Sequence, residues 1–177
     1  MDPDAVFSCL LADRQGHPAR IARSPGVFAA FVKDSALLPD IDVPATGLVY
    51  IGEGVNVAKR SPFVAAGKRV STPWRTLGAI LKERLRLIAV AGNGDQAVQH
   101  YQFDASGEER LRVWICRHLL YSAYPIRNGG KDARAELKNK LIAAQKPPLN
   151  LLHWKNPQEP KIAALRQVCK DEAEQSP

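Results

Sequence analysis

The segment from Gly47 to Gly54 (GLVYIGEG) is the first stretch whose residue types suggest chemistry. Gly47 and Gly52 have the separation found in a phosphate-binding loop, in which backbone amides cradle a nucleotide. In such a loop a lysine and a hydroxyl residue follow the second glycine, because they bind the phosphate and Mg²⁺. Here Glu53 and Gly54 follow instead, and an acid at this place would repel phosphate. We therefore reject this class of nucleotide-binding loop.

A run of cations, which we call the basic block, follows this segment. Between Lys59 and Arg86 the sequence has eight cations and one acid, Glu83, whereas the rest of the chain has 17 residues of each sign. The whole net charge of +7 therefore lies in the basic block. It indicates either a polyanionic partner, with phosphate as the obvious charged group, or a solvated helix face that happens to be basic. The cations are Lys59, Arg60, Lys68, Arg69, Arg75, Lys82, Arg84 and Arg86.

The cysteines and the chain length exclude several classes of protein. Cys9, Cys116 and Cys169 are far apart and odd in number, so we expect no disulfide framework or zinc ribbon, and the reducing cytoplasm is the expected location. No apolar run approaches the roughly 20 residues that span a bilayer, and the acidic start lacks the cations of a secretory signal. A chain of 177 residues fits one domain with short extensions.

Hydrophobic patterns predict the elements that must position these groups. The continuous apolar run at 26–32, bounded by turn residues, predicts a buried strand, and 46–52 is predicted to form a second, neighbouring strand. Thr72-Pro73 predicts a hydroxyl cap with a first-turn proline, and Ser106 to Glu109 matches a capping box. Further strands are predicted at 87–91 and 121–126, and helices at 5–12, 55–68, from 72 onward, 106–118, 132–145 and 160–172.

Several short motifs, taken in order, resemble the GIY-YIG endonuclease family. Gly26-Val27-Phe28 corresponds to the first motif, Tyr50-Ile51-Gly52 to the second, and Arg60 follows eight residues after Gly52. The segment 71–81 (STPWRTLGAIL) is similar to a segment of one bacterial branch of the family. Leu141-Ile142 followed by 147–150 (PPLN) resembles the closing signature, so the resemblance spans residues 25 to 155.

The resemblance implies an α+β fold, with a small antiparallel sheet of about three strands flanked by helices and with helical extensions at both ends. It also implies hydrolysis of a nucleic-acid phosphodiester with one divalent metal, Mg²⁺ or Mn²⁺. Tyr50 would assist the attacking water, and Arg60 would contact the scissile phosphate, which its guanidinium can pair with in a bidentate way. Asn150 would anchor the backbone at the end of the catalytic helix or contact the substrate strand.

The sequence departs from the family pattern at three positions. Phe28 replaces the tyrosine of the first motif, and Val64 stands where a histidine often follows the arginine. The metal-binding glutamate should precede the Leu-Ile pair by three residues, and this position is Lys138. Glu136 is a weak substitute, because two residues along a helix is about 200° of rotation. Glu53 and Glu83 are the other candidate carboxylates.

Two functions therefore compete. The first is a DNA endonuclease with Tyr50 and Arg60 in its active site, and the second is a catalytically silent module that binds DNA or a protein partner. An ammonium at the metal position would repel a dication but could pair directly with phosphate. We expect residues 1–24 to form an N-terminal extension, 25–155 the GIY-YIG-like domain and 156–177 a C-terminal helix. The expected nucleic-acid contacts are Lys59, Lys68, Arg69, Arg75, Lys138 and Asn150.

Overall fold

A central antiparallel sheet of three strands organises the computed structural model, which describes residues 1–16, 24–57, 63, 71–92, 101–126 and 130–176. Strand β1 (Gly26–Val32) lies between β2 (Leu48–Gly54) and β5 (Leu119–Pro125). All seven residues of β1 are buried, because the strand has a neighbour on each edge and side chains packed on each face. This position explains why its sequence is continuously apolar rather than alternating.

The two faces of the sheet belong to two hydrophobic clusters. Phe28, Ala30 and Val32 of β1 lie in the first cluster, and Val27, Ala29 and Phe31 lie in the second. Successive side chains of a strand point to opposite faces, which accounts for this division. We call these the first face and the second face of the sheet.

Helices cover both faces. On the first face lie α2 (Thr72–Ile80), the short α3 (Lys82–Leu85), α4 (Ala105–His118) and α6 (Glu159–Gln175), together with a two-stranded sheet, β3 (Ala89–Ala91) and β4 (Tyr101–Phe103). On the second face lie α1 (Pro3–Ala12) and α5 (Gly130–Gln145). The predicted fold class, α+β with a three-stranded antiparallel sheet and flanking helices, is confirmed. None of the helices in the described part of the chain is long and apolar enough to cross a membrane.

Two predicted helix caps are wrong by one or two residues. The cap of α2 is Ser71, whose hydroxyl accepts from Trp74 N, so Thr72 is already helical. The cap of α4 is Asp104, which accepts from Gly107 N at 2.8 Å, and not Ser106. Serine, threonine and aspartate all suit a cap, so the tertiary position of the chain decides between neighbouring candidates. The helix predicted at 55–68 falls largely outside the described residues.

The cysteine thiols differ sharply in exposure. Cys169 on α6 is fully buried in the first cluster, whereas Cys9 and Cys116 are exposed. Burial raises the pKa of the Cys169 thiol to about 11, so its reactive thiolate form is scarce at neutral pH. We expect two thiols of the folded protein to react quickly with a coloured disulfide reagent, and the third only after denaturant is added. Fast reaction of all three thiols without denaturant would contradict this placement of α6.

Candidate functional site

Tyr50 lies half-buried on the first face of the sheet. It stands opposite Ala30 of β1 and packs against the first cluster. Its ring centre is 6.1 Å from that of Phe28 and 5.9 Å from that of Phe63, which meets it edge-on. Phe63 is uncharged and lies among the cations of the basic block in the sequence, three residues after Arg60. The structure therefore brings Phe63 into contact with Tyr50.

Gly52 makes room for the aromatic residue of the first motif. Phe28 and Gly52 are opposite each other in the β1–β2 register. A Cβ atom on Gly52 would lie 2.3 Å from Cζ of the Phe28 ring, which is closer than real side-chain contacts allow. The phenyl ring therefore occupies the space that any other residue at position 52 would fill. This contact packs the first motif directly against the second.

Asn150 anchors the outer edge of β2 next to Tyr50. Its Oδ1 accepts from Ile51 N at 2.8 Å, and its Nδ2 donates to Ile51 O at 2.9 Å. The side chain is only 9% exposed, so both bonds are shielded from water. Leu149 N also donates to Val49 O at 3.0 Å, so this segment covers the otherwise unpaired edge of the strand. Both polar atoms of the Asn150 side chain are therefore used to hold the backbone of β2.

Further hydrogen bonds hold the closing signature in place. Asn156 Nδ2 donates to Pro148 O and Asn150 O, and Trp154 Nε1 donates to Asn150 O at 2.7 Å. These bonds satisfy carbonyl groups of the turn that do not pair with the backbone of β2. The signature thus forms a rigid turn that presents the Asn150 amide to the strand.

An ion pair joins β2 to α5 on the second face. Arg134 Nε lies 3.4 Å from Glu53 Oε2, and the two side chains are 9% and 22% exposed. Arg134 also donates to Gly130 O at 2.8 Å, which fixes its guanidinium. Sequence reasoning missed Arg134. It lies four residues before Lys138, and that spacing places both residues on one face of a helix.

Lys138 lies half-buried on α5, on the side of the helix that packs against the sheet. Its neighbours one turn away, Leu141 and Ile142, are fully buried in the second cluster. Tyr50 packs instead against the first cluster. The buried neighbours of Lys138 and those of Tyr50 therefore belong to different clusters.

The candidate carboxylates do not form a metal site. Glu53 is paired with Arg134, Glu136 is largely exposed and pairs with Lys140 at 2.6 Å, and Glu83 is 95% exposed. Among the described residues, no three His, Cys, Asp or Glu side chains are grouped so that they could hold a metal ion. A cation at position 138 adds repulsion to this lack of ligands. The described residues therefore do not fit the divalent metal that the resemblance implies.

Only part of the basic block can be located. Lys59, Arg60, Lys68 and Arg69 lie outside the described residues. Arg75 is half-buried on α2, and its carbonyl accepts from the Tyr101 hydroxyl at 3.0 Å. Burial is the main cause that lowers the pKa of the Arg75 guanidinium, and the nearby positive charge of Arg166 on α6 acts in the same direction. Arg75 therefore lies beside another cation, where an anion would relieve the repulsion.

Comparison with models of protein families shows to which family the chain is related. A family model described as the GIY-YIG catalytic domain matches residues 38–171, which is more than half of the chain. The chain belongs to the GIY-YIG family. Membership supports a nuclease-like function at the level of the family, whose members act on nucleic acid and generally use divalent metals. Comparisons with curated proteins and with solved structures give no match.

The family match begins after β1 and extends into α6. The first motif of this GIY-YIG protein therefore lies outside the matched range, although β1 is the central strand that pairs with the second motif. At the other end, Ile162 and Cys169 of α6 are fully buried in the first cluster. The last helix thus contributes to the same core as the sheet.

Proposed function

We propose that this GIY-YIG protein binds DNA over the first face of its sheet, with Tyr50 and the basic block at the phosphates, and that it does not cut DNA by the metal-dependent route of its family. The observation that supports the proposal is the ring contact between Tyr50 and Phe63, an uncharged residue that lies three positions after Arg60 in the sequence. An arginine beside Tyr50 would pair with a phosphate through its planar fork and keep its charge at every physiological pH. The tyrosine hydroxyl would donate a hydrogen bond to the same phosphate group.

The proposed lack of cleavage is argued from position 138 of α5, where the family pattern has a glutamate. Lys138 stands there, and Arg134 one turn earlier pairs with Glu53, the acid that directly follows the second motif. The cytoplasm remains the compartment that we propose, because the three cysteines are free. We also propose that residues 1–24 form an N-terminal extension, 25–155 the GIY-YIG-like domain and 156–177 a C-terminal helix.

DNA binding is tested by fluorescence anisotropy with a labelled blunt duplex over a range of salt concentrations. We expect the affinity to fall steeply with salt, because phosphate neutralisation releases counterions. Each phosphate contact that is removed, as in Arg60→Ala, should lower the salt slope by about one. Lys138→Glu is compared with Lys140→Glu, which makes the same charge change at an exposed position of α5. Equal losses would remove Lys138 from the interface, and no binding at low salt would overturn the proposal.

Cleavage is tested with supercoiled plasmid and either Mg²⁺ or Mn²⁺. We expect the unmodified protein to nick no faster than Arg60→Ala and Tyr50→Phe. An active endonuclease is the second candidate function, and the family fold with Tyr50 in the second motif favours it. Robust nicking that depends on Tyr50 and Arg60 would establish that candidate. Because position 138 is a lysine, a carboxylate elsewhere in the chain would then have to bind the metal.

A further inference from the structure

A cavity of about 450 Å³ opens between the end of α3 and one side of α4. Four arginines line it, two from α3 and its end, Arg84 and Arg86, and two from α4, Arg110 and Arg117. The α4 arginines belong to the part of the sequence whose charges cancel overall, so composition does not reveal this cluster. The fold brings them next to the last two cations of the basic block.

The cationic wall is held in place by hydrogen bonds. Arg110 donates to Leu85 O at 2.8 Å and to Arg86 O at 2.7 Å, the carbonyl groups that end α3. Arg110 also donates to the Ser106 hydroxyl, so bonds within the described residues use three of the five N–H groups of its guanidinium. The one acid that lines the cavity, Glu109, accepts from Arg112 at 2.8 Å. The cavity therefore keeps an excess of positive charge.

Apolar and aromatic side chains of α4 line the cavity between Arg110 and Arg117. Val113 is 44% exposed although it is a large hydrophobic residue, and Trp114 lines the cavity while being only 5% exposed. The Trp114 ring is 5.2 Å from that of His118. Partial burial, followed by the charges of Arg117, Lys33 and Arg84, lowers the pKa of the His118 imidazole. At neutral pH the imidazole is therefore an uncharged aromatic neighbour of the indole.

The buried end of Trp114 carries a second unusual feature. Its Nε1–H is shielded from solvent and has no acceptor among the described residues. Buried indole N–H groups usually find a partner. By contrast, Trp74 Nε1 donates to Glu108 at 2.7 Å and Trp154 Nε1 donates to Asn150 O. A small movement on binding would offer this donor to a ligand with a carbonyl or ring nitrogen.

We propose that this cavity binds one unpaired nucleotide of a nucleic-acid strand, with its phosphate on Arg117 and Arg84 and its base against Val113 and Trp114. The volume is within the range of small-molecule sites, which is about 300–1,000 Å³. A purely basic surface would attract any polyanion, whereas an apolar wall beside the arginines selects an anion that carries a flat ring. This inference rests on the proposed function: if the protein binds duplex DNA, the cavity would hold a single-stranded nucleotide at the end of that duplex.

The test compares a blunt duplex with the same duplex carrying a single-stranded overhang, by anisotropy at one salt concentration. We expect the overhang to improve affinity several-fold, because the unpaired nucleotide adds ionic contacts with Arg117 and Arg84 and covers the exposed apolar surface of Val113. Val113→Glu should abolish this gain by placing a carboxylate in the cavity. Val168→Glu is the matched control, because Val168 is similarly exposed on α6 and does not line the cavity. Arg117→Ala should reduce the gain and leave blunt-duplex binding nearly unchanged.

Deoxyadenosine monophosphate and inorganic phosphate distinguish the sources of the ligand. Competition by the mononucleotide but not by phosphate would support a site for base and phosphate together, open also to free nucleotides. Equal affinity for blunt and overhang duplexes would overturn the inference, as would a gain that survives in Val113→Glu. If the mononucleotide binds and no duplex does, the cavity stands while the proposed DNA-binding function fails. If both duplexes bind alike and the mononucleotide does not, only the cavity proposal fails.

Discussion

Replacing Asn150 with alanine should lower the free energy of unfolding by about 2–4 kcal/mol, because each of two buried backbone groups left without a partner costs about 1–3 kcal/mol. These groups are the N–H and C=O of Ile51, and the Asn150 amide now satisfies both. Ile51 is itself fully buried, so water cannot replace the lost bonds without opening the edge of β2. Because Tyr50 precedes Ile51, the same change should loosen the proposed DNA-binding face.

Urea unfolding followed by circular dichroism measures this effect. Asn139→Ala on α5 is a matched control, because its Oδ1 is buried without a partner in the described part of the chain. We expect it to change the unfolding free energy by less than about 1 kcal/mol, since alanine is also the better helix former. A loss for Asn150→Ala no larger than that of the control would show that the bonds to Ile51 contribute little.

Asn150→Asp refines the same prediction through its pH dependence. An ionised carboxylate can accept from Ile51 N–H but repels Ile51 O, whereas the protonated carboxyl can donate to that oxygen. Folding should therefore raise the pKa of the introduced carboxyl above the ordinary value of about 3.9. Its stabilising contribution is then complete below that value and is lost as the pH rises through the folded-state pKa. Relative to the unmodified protein, the variant should be least stable at neutral pH.

Arg134→Met should be the second most damaging of these substitutions, with a loss of about 2–3 kcal/mol. Removing one partner of a fully buried ion pair costs about 3–5 kcal/mol, and the figure is reduced here because Glu53 is 22% exposed. Methionine keeps the length of the side chain, so the loss reflects the unpaired Glu53 carboxylate more than lost packing. The hydrogen bond to Gly130 O in the first turn of α5 is lost as well.

A double-mutant cycle separates these contributions. Glu53→Gln combined with Arg134→Met should recover part of the loss, because the uncompensated charge is gone. Lys140→Met on the same helix is the control, because its ion pair with Glu136 is exposed and should leave the melting temperature nearly unchanged. Additive losses in the cycle would show that Arg134 acts through packing rather than through Glu53.

The strands that carry the family motifs could be predicted because their patterns are local. The apolar run at 26–32 coincides with β1, and the second predicted strand is shifted by two residues because β2 continues pairing as far as Gly54 opposite Gly26. β4 was missed, since Tyr101–Phe103 is too short to show a period and exists through its pairing with β3. The helix caps were misplaced where several residues capable of capping stand together.

The site could be predicted only in part. The sequence by itself determined the family motifs, the basic block and the cation at position 138, because each is a matter of residue type and spacing along the chain. Only the tertiary structure decided which distant groups meet: Asn150 with Ile51, Arg134 with Glu53, Phe63 with Tyr50, and the α4 arginines with the end of α3. Those contacts depend on how strands and helices pack around two buried clusters. Local sequence patterns do not specify that packing. The fold places four arginines around one cavity, and two of them come from the part of the sequence whose charges cancel.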